Sequence, residues 1–223
     1  MKAFVVDLDS SENQSILKPI ARPFNNQAHQ VNEAAEKIHE LIKNAPYSND
    51  NIVLKRNEIK EAFFSPFKPQ LKNAQVFLSH SHADINMALE VKNYLENQTK
   101  HKVFIDSLFW DYKDDVLNKL ARYDDISKIE DAFTLILRES LEDMIKKCPY
   151  FVFLQSKNSV SNQDLLKITY SAWIYEELKI AHSISESRPI PMMESMQVFH
   201  DISLFLESFE TIRLSELSRI INS

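Results

Sequence analysis

Val76-Phe77-Leu78-Ser79-His80-Ser81-His82-Ala83-Asp84 is the stretch whose reading decides the fold. A short apolar run that ends in small polar residues reads as a strand. The chain then changes period. Met87, Val91, Tyr94 and Leu95 fall at helical spacing between Asp84 and Asn97, and Asp84 stands where a helix N-cap belongs. The same alternation continues downstream. Lys102 to Ser107 is expected as a second strand. Ile129 to Lys147 is expected as a long helix carrying Leu137, Leu141, Met144 and Ile145, and Cys148-Pro149 ends it. Phe151 to Leu154 is an unbroken apolar run of the kind that a strand covered on both faces requires. A polar loop from Ser156 to Asp164 then leads to a helix holding Trp173 and Glu177. Short apolar runs alternating with longer amphipathic ones predict an α/β fold with a central parallel sheet flanked by helices.

The ends of the chain are less regular. Arg188 to Met193 reads as a fourth strand that Pro189 and Pro191 restrict to an edge or an irregular piece. Helical periodicity resumes from Met196 to Phe209, and Glu210 to Leu214 is expected as a last short strand. In the first 73 residues, Ala3 to Leu8 reads as a strand, Gln30 to Lys43 as an amphipathic helix and Asn57 to Phe64 as a short helix. Ser65-Pro66-Phe67-Lys68-Pro69 marks a boundary, so residues 1–73 are expected as an N-terminal α/β extension and residues 74–223 as the main domain. The extension could add a strand, cover a sheet edge or bind a partner.

Composition removes several function classes. The 223 residues are 44% hydrophobic and 26% charged, as in an ordinary globular chain. No apolar run approaches the roughly 20 residues of a membrane-spanning helix, and Asp7 comes too early for a secretory segment, so a cytoplasmic protein without a membrane partner is expected. A net charge of −6, with only Lys55-Arg56 and Lys146-Lys147 as adjacent basic pairs, argues against nucleic acid as a partner. Cys148 is the single cysteine, and its place before an apolar strand reads as a small buried hydrophobe. Glycine is absent altogether. That excludes both the Gly-rich dinucleotide fingerprint and the P-loop, which need glycine at fixed positions. Any nucleotide must be held by side chains and loops, and left-handed turns fall to asparagines such as Asn25-Asn26, Asn49-Asp50-Asn51 and Asn158.

Ser171-Ala172-Trp173-Ile174-Tyr175-Glu176-Glu177-Leu178 carries the candidate chemistry. Trp173 and Glu177 lie one helical turn apart, which sets a carboxylate beside an indole on nearly one face. Glu176 points about 100° away around the helix. Taken alone, a Trp-x-x-x-Glu is most simply a core tryptophan and an exposed charge.

The order of elements gives the pattern more content. A strand ending in Ser79-His80, a second ending in Asp106-Ser107, the strand Tyr150 to Ser156 and the Trp173/Glu177 helix together resemble the Toll/interleukin-1 receptor (TIR) domain, in particular bacterial TIR-like proteins. The resemblance implies a flavodoxin-like α/β domain and chemistry on NAD, as substrate rather than resident cofactor. It maps the catalytic glutamate of TIR enzymes onto Glu177. Cleavage of the nicotinamide–ribose bond develops positive charge on the ribose, which a neighbouring carboxylate stabilises without a metal. Ser79, His80, Asp106, Trp110 and Trp173 are then the expected substrate-binding residues. The segment Ser107-Leu108-Phe109-Trp110-Asp111-Tyr112-Lys113-Asp114-Asp115 is expected as a loop at the carboxyl end of the second strand, where open parallel sheets bind ligands. Its Trp110 and Tyr112 either stack on a base or anchor the loop. The family further implies a homo-oligomer, a product of ADP-ribose or a cyclic or modified ADP-ribose, and a role in bacterial antiphage defence with a downstream effector protein responding to the product.

Two other readings stand beside this one. The first is a TIR adaptor that signals by self-assembly without catalysis. The second is a metal-dependent hydrolase, since His80-x-His82-x-Asp84 fits three ligands of the metallo-β-lactamase pattern, although Ile85 occupies the fourth position. In the TIR reading His80 lines the pocket, His82 faces solvent and Asp84 caps the helix.

Overall fold

Six consecutive residues near the start of the chain, Lys2–Asp7 (β1), pair along their whole length with Tyr150–Gln155 (β6), Lys2 opposite Tyr150 and Asp7 opposite Gln155. On its other face β6 pairs with Ala74–Ser79 (β4), which pairs with Lys102–Ile105 (β5). Beyond β1 lies Glu210–Thr211 (β10). The result is a five-stranded, all-parallel sheet in the order β10-β1-β6-β4-β5. This computed structural model describes residues 1–18, 27–45, 47–48, 51–52, 55–64, 73–105, 107–122, 125–163, 166–185 and 200–223.

The central strands form because their side chains are wanted on both faces. Val76, Phe77 and Leu78 of β4 and all four residues of Phe151 to Leu154 are at or near zero exposure. A strand of a parallel sheet covered by helices on both sides demands this run in place of alternation. Register aligns Phe104, Phe77 and Phe151 across three strands, and the rings follow it. Phe77 stacks on Phe151 at 5.7 Å with planes 10° apart and meets Phe104 at 5.6 Å. Next in that row is the small Ala3, and Phe209, just before β10, packs on Phe151 from there at 5.8 Å.

Helices follow the strands as the alternation predicts. A short 3-10 turn, His82–Asp84, leads from β4 into Ile85–Gln98, and Ala88, Leu89, Val91 and Leu95 form its buried stripe. Met87 and Tyr94 are only half-buried, so the core stripe is turned slightly from the expected one. The long helix is Ser127–Lys147, with Leu137, Leu141, Met144 and Ile145 buried as expected. Cys148 follows, buried, its thiol directed at the Ala74 carbonyl. Burial pushes that thiol up to about 12, so it is neutral at physiological pH.

Several expectations are corrected. The segment Ser107 to Asp115 is not a loop: Ser107–Leu120 is a continuous helix starting where β5 ends. The polar loop after β6 holds Ser161–Gln163 (β7), antiparallel to Leu166–Thr169 (β8), which pairs in turn with His200–Asp201 (β9). Of the helix expected over Met196 to Phe209, residues 196–199 lie outside the described residues, and the described part is helical at Ser203–Ser208, after β9. The proposed strand Arg188 to Met193 lies outside the described residues. A C-terminal helix, Leu214–Asn222, was not anticipated.

The N-terminal segment does not stand apart as one extension. The chain forms two compact units, one of residues 1–20, 73–107 and 141–223, the other of residues 21–72 and 108–140. The first contains the whole five-stranded sheet, so β1 belongs to it. The second holds helices Gln27–Lys43 and Arg56–Phe64 and the short hairpin of Tyr47–Ser48 (β2) with Asn51–Ile52 (β3). Its core includes Ile38, Ile59, Phe63, Val116, Leu120 and Phe133, with Phe63 and Phe133 meeting edge to face at 5.2 Å. Among the described residues no helix is long and apolar enough to cross a membrane.

Candidate functional site

The connection from β4 leads to β5 on one side, whereas the chain leaving β6 eventually reaches β10 on the other. Between the carboxyl ends of β4 and β6 lies the topological switch point, where open parallel sheets leave a crevice for ligands. Ser79 is the last residue of β4, and Ser156 follows the last residue of β6. Both are buried.

Glu177 comes to this place from Ala172–Ser185, a helix capped by Ser171, whose hydroxyl accepts the Ile174 N–H at 3.2 Å. Ser79 Oγ donates a hydrogen bond to Glu177 Oε2 at 2.5 Å, and the glutamate is fully buried. It is therefore not the exposed helix charge of the simplest sequence reading. A buried carboxylate needs donors to remain ionised, and a short hydroxyl bond to one oxygen supplies one. The other oxygen, Oε1, is buried as well, as are both ring nitrogens of His80, the residue after Ser79. Trp173 is half-buried one turn before Glu177. Glu176, the rival carboxylate, is half-buried and faces Lys179 at 3.7 Å. On the same side, Tyr175 stacks on His200 at 4.5 Å; burial and then Glu176 push the phenol up, while burial pushes the imidazole down against the pull of Glu176.

Ser79, His80, Trp173 and Glu177 thus lie in one unit, with Ser79 and Glu177 in direct contact. Asp106 lies outside the described residues. Trp110 falls in the helix Ser107–Leu120 instead of a loop, in the other unit, and its side chain lies outside the described residues.

Asp84 has a different job from the expected one. It occupies the N-cap position of Ile85–Gln98, yet its side chain makes no capping bond. Its carboxylate reaches the loop after β6, where Oδ2 accepts from Ser156 Oγ at 2.5 Å and Oδ1 from Asn158 Nδ2 at 2.6 Å. Ser156 Oγ in turn accepts the Asn158 N–H at 3.0 Å. This clasp ties the loop after β4 to the loop after β6. Ser156 and Asn158 were missed as site residues because their role is a partnership across 72 and 74 positions of sequence. The available signal was a Ser-x-Asn-Ser run directly after a buried strand, a turn-forming composition at a carboxyl end. The metal reading fails on the same geometry: His82 is exposed while His80 and Asp84 are buried. Among the described residues no group of three His, Cys, Asp or Glu side chains could hold a metal ion.

Replacing Asp84 by Ala strands the buried Ser156 hydroxyl without its carboxylate acceptor, while the exposed Asn158 amide can turn to water. The expected cost is about 1–3 kcal/mol of unfolding free energy, read by urea denaturation, with Asp84→Asn losing less. A variant as stable as wild type would show that the clasp contributes nothing.

Comparison with family models, with curated proteins and with solved structures finds no match in any of the three.

Proposed function

We propose that the chain is a TIR-like enzyme that cleaves the nicotinamide–ribose bond of NAD, with Glu177 as the catalytic carboxylate. The observation that carries the proposal is the Ser79–Glu177 pair: a carboxylate removed from water, held by a hydroxyl at the end of a central strand, beside the switch point of a parallel sheet. A buried carboxylate at the ligand crevice of a parallel sheet is a candidate for chemistry. In the reaction the C1′–N1 bond breaks and its electron pair leaves with neutral nicotinamide. The positive charge left on the ribose lies against Glu177. Water then adds at C1′ and loses a proton to give ADP-ribose, or a nitrogen of the substrate's own adenine adds to give a cyclic product. Ser79 orients the carboxylate, and Trp173 and His80 supply an aromatic wall. The absence of glycine is compatible with this, because no phosphate-cradling glycine loop is required. A function in antiphage defence, with self-association and an effector that reads the product, follows from the resemblance alone.

The same burial favours one second reading. A carboxylate with no exposure is shielded from substrate until the site opens, and a TIR adaptor that works by assembly would need no opening. The deciding experiment is incubation of the full chain with NAD at high protein concentration, with products resolved by chromatography and mass. Nicotinamide release is expected, and the accompanying product distinguishes hydrolysis from cyclisation. NAD left intact across trigger and concentration screens would turn the reading to the adaptor.

A further inference from the structure

β5 is the last strand in the sheet order, so one of its long sides meets no further described strand. Such an edge presents backbone N–H and C=O groups on which another strand can build. At Val103 that side is occupied by side chains of the preceding helix, Ile85–Gln98. The Val103 N–H donates to Glu96 Oε1 at 3.0 Å, and the Val103 carbonyl accepts from Lys92 Nζ at 2.5 Å. Lys92 Nζ and Glu96 Oε1 are themselves 2.7 Å apart, which closes a ring of three bonds. One carboxylate oxygen and one ammonium therefore stand where the carbonyl and amide of a sixth strand would stand. The pair is one helical turn apart, and its side chains are only 15% and 22% exposed. It is thus better shielded than the surface ion pairs whose worth is usually negligible.

We infer that Lys92 and Glu96 terminate the sheet: by taking both backbone groups of Val103 they prevent β5 of a second copy from pairing with β5 of the first. The strand they guard, Lys102-Val103-Phe104-Ile105, is rich in strand-forming residues and identical in two copies. Antiparallel β5–β5 pairing about a two-fold axis would be self-complementary, and the Val103 groups would supply its bonds. The inference does not rest on the proposed chemistry.

The test uses the full chain and amide hydrogen exchange at Val103 alongside sedimentation. In wild type the Val103 amide is expected to be protected to the same degree at every protein concentration, whether or not the chain associates through another surface. In Lys92→Ala/Glu96→Ala, exchange at Val103 is expected to accelerate about tenfold or more in dilute solution and to slow again as concentration rises and dimers form. Lys92→Arg/Glu96→Gln, which can rebuild the ring of bonds, is expected to behave as wild type. A folded alanine variant with wild-type exchange and association overturns the inference. Dimerisation of the Arg/Gln variant as strong as that of the alanine variant also overturns it. Should the alanine variant not fold, wild type decides alone: coil-like exchange at Val103, or protection that rises with concentration, overturns the inference.

Discussion

If the chain cleaves NAD as proposed, Glu177→Gln is expected to lower nicotinamide release by about 10²-fold or more while the melting transition stays close to that of wild type. The substitution keeps the shape of the side chain, and the Gln carbonyl can still accept the Ser79 hydroxyl that now bonds Oε2. What it removes is the negative charge that the proposed reaction asks of the carboxylate. In a site with no exposure to water that charge acts at low dielectric, where its attraction to a developing oxocarbenium is many times what it would be in solvent. Burial also sharpens the stability side of the comparison. An ionised carboxylate at this position is costly to bury, so a neutral amide of the same volume is expected to leave stability within about 1 kcal/mol of wild type or to raise it. A large loss of turnover with no loss of stability is the signature of a residue kept for chemistry. Retained turnover in the Gln variant would remove Glu177 from the mechanism, and equal loss of turnover and of fold would make it a packing residue. Both are read from one preparation by a product assay and a thermal melt.

Much of this site was legible in the sequence because its positions are fixed locally. Ser79 ends an apolar run, so it had to fall at the carboxyl end of β4. Trp173 and Glu177 share a helix face by spacing alone. The long helix ending before Cys148-Pro149 was legible for the same reason, since proline is disfavoured in a helix interior. What the sequence hid depends on partners distant along the chain. Nothing in Asp84 distinguishes a cap from a clasp, because both use a short acid before an amphipathic run, and only the place of Ser156 and Asn158 decides between them. The family pattern implies a loop at Ser107 to Asp115, whereas Val116, Leu117 and Leu120, all buried, recur at the intervals of the helix that Ser107–Leu120 forms. The placement of β1 had no local signal at all. An apolar strand at the start of a chain can add to any edge or insert at any position, and its seat between β6 and β10 is set by which neighbours remain unpaired once the rest of the sheet is laid down.

A chain beginning at Ser11 is expected to have no cooperative unfolding transition, although it keeps residues 74–223 and with them every element that the resemblance requires. The reason is the position of β1. It is an interior strand, paired with β6 at six positions and with β10 at Phe4 and Val5, and the Ile212 N–H donates to the Val5 carbonyl at 2.9 Å. Removing it leaves the central strand β6 with an open row of backbone groups and cuts β10 from the sheet. It also removes Phe4, Val5, Val6 and Leu8, none more than 3% exposed. At about 1.5–3 kcal/mol for each fully buried apolar side chain, roughly 6–12 kcal/mol of stabilisation goes with them. That is comparable with the entire net stability of an ordinary domain, about 5–15 kcal/mol. Val5→Asp, which places a charge in the middle of the sheet without shortening the chain, is expected to unfold the protein by the same logic. Circular dichroism with thermal melting and amide exchange at Phe151 to Leu154 measures both variants. Protection at those four amides should be lost in the truncated chain and restored when a peptide of residues 1–10 is added in excess. A chain from Ser11 that melts cooperatively within a few degrees of wild type would mean that β6 can close its own edge, and that β1 is an addition to the fold rather than part of it.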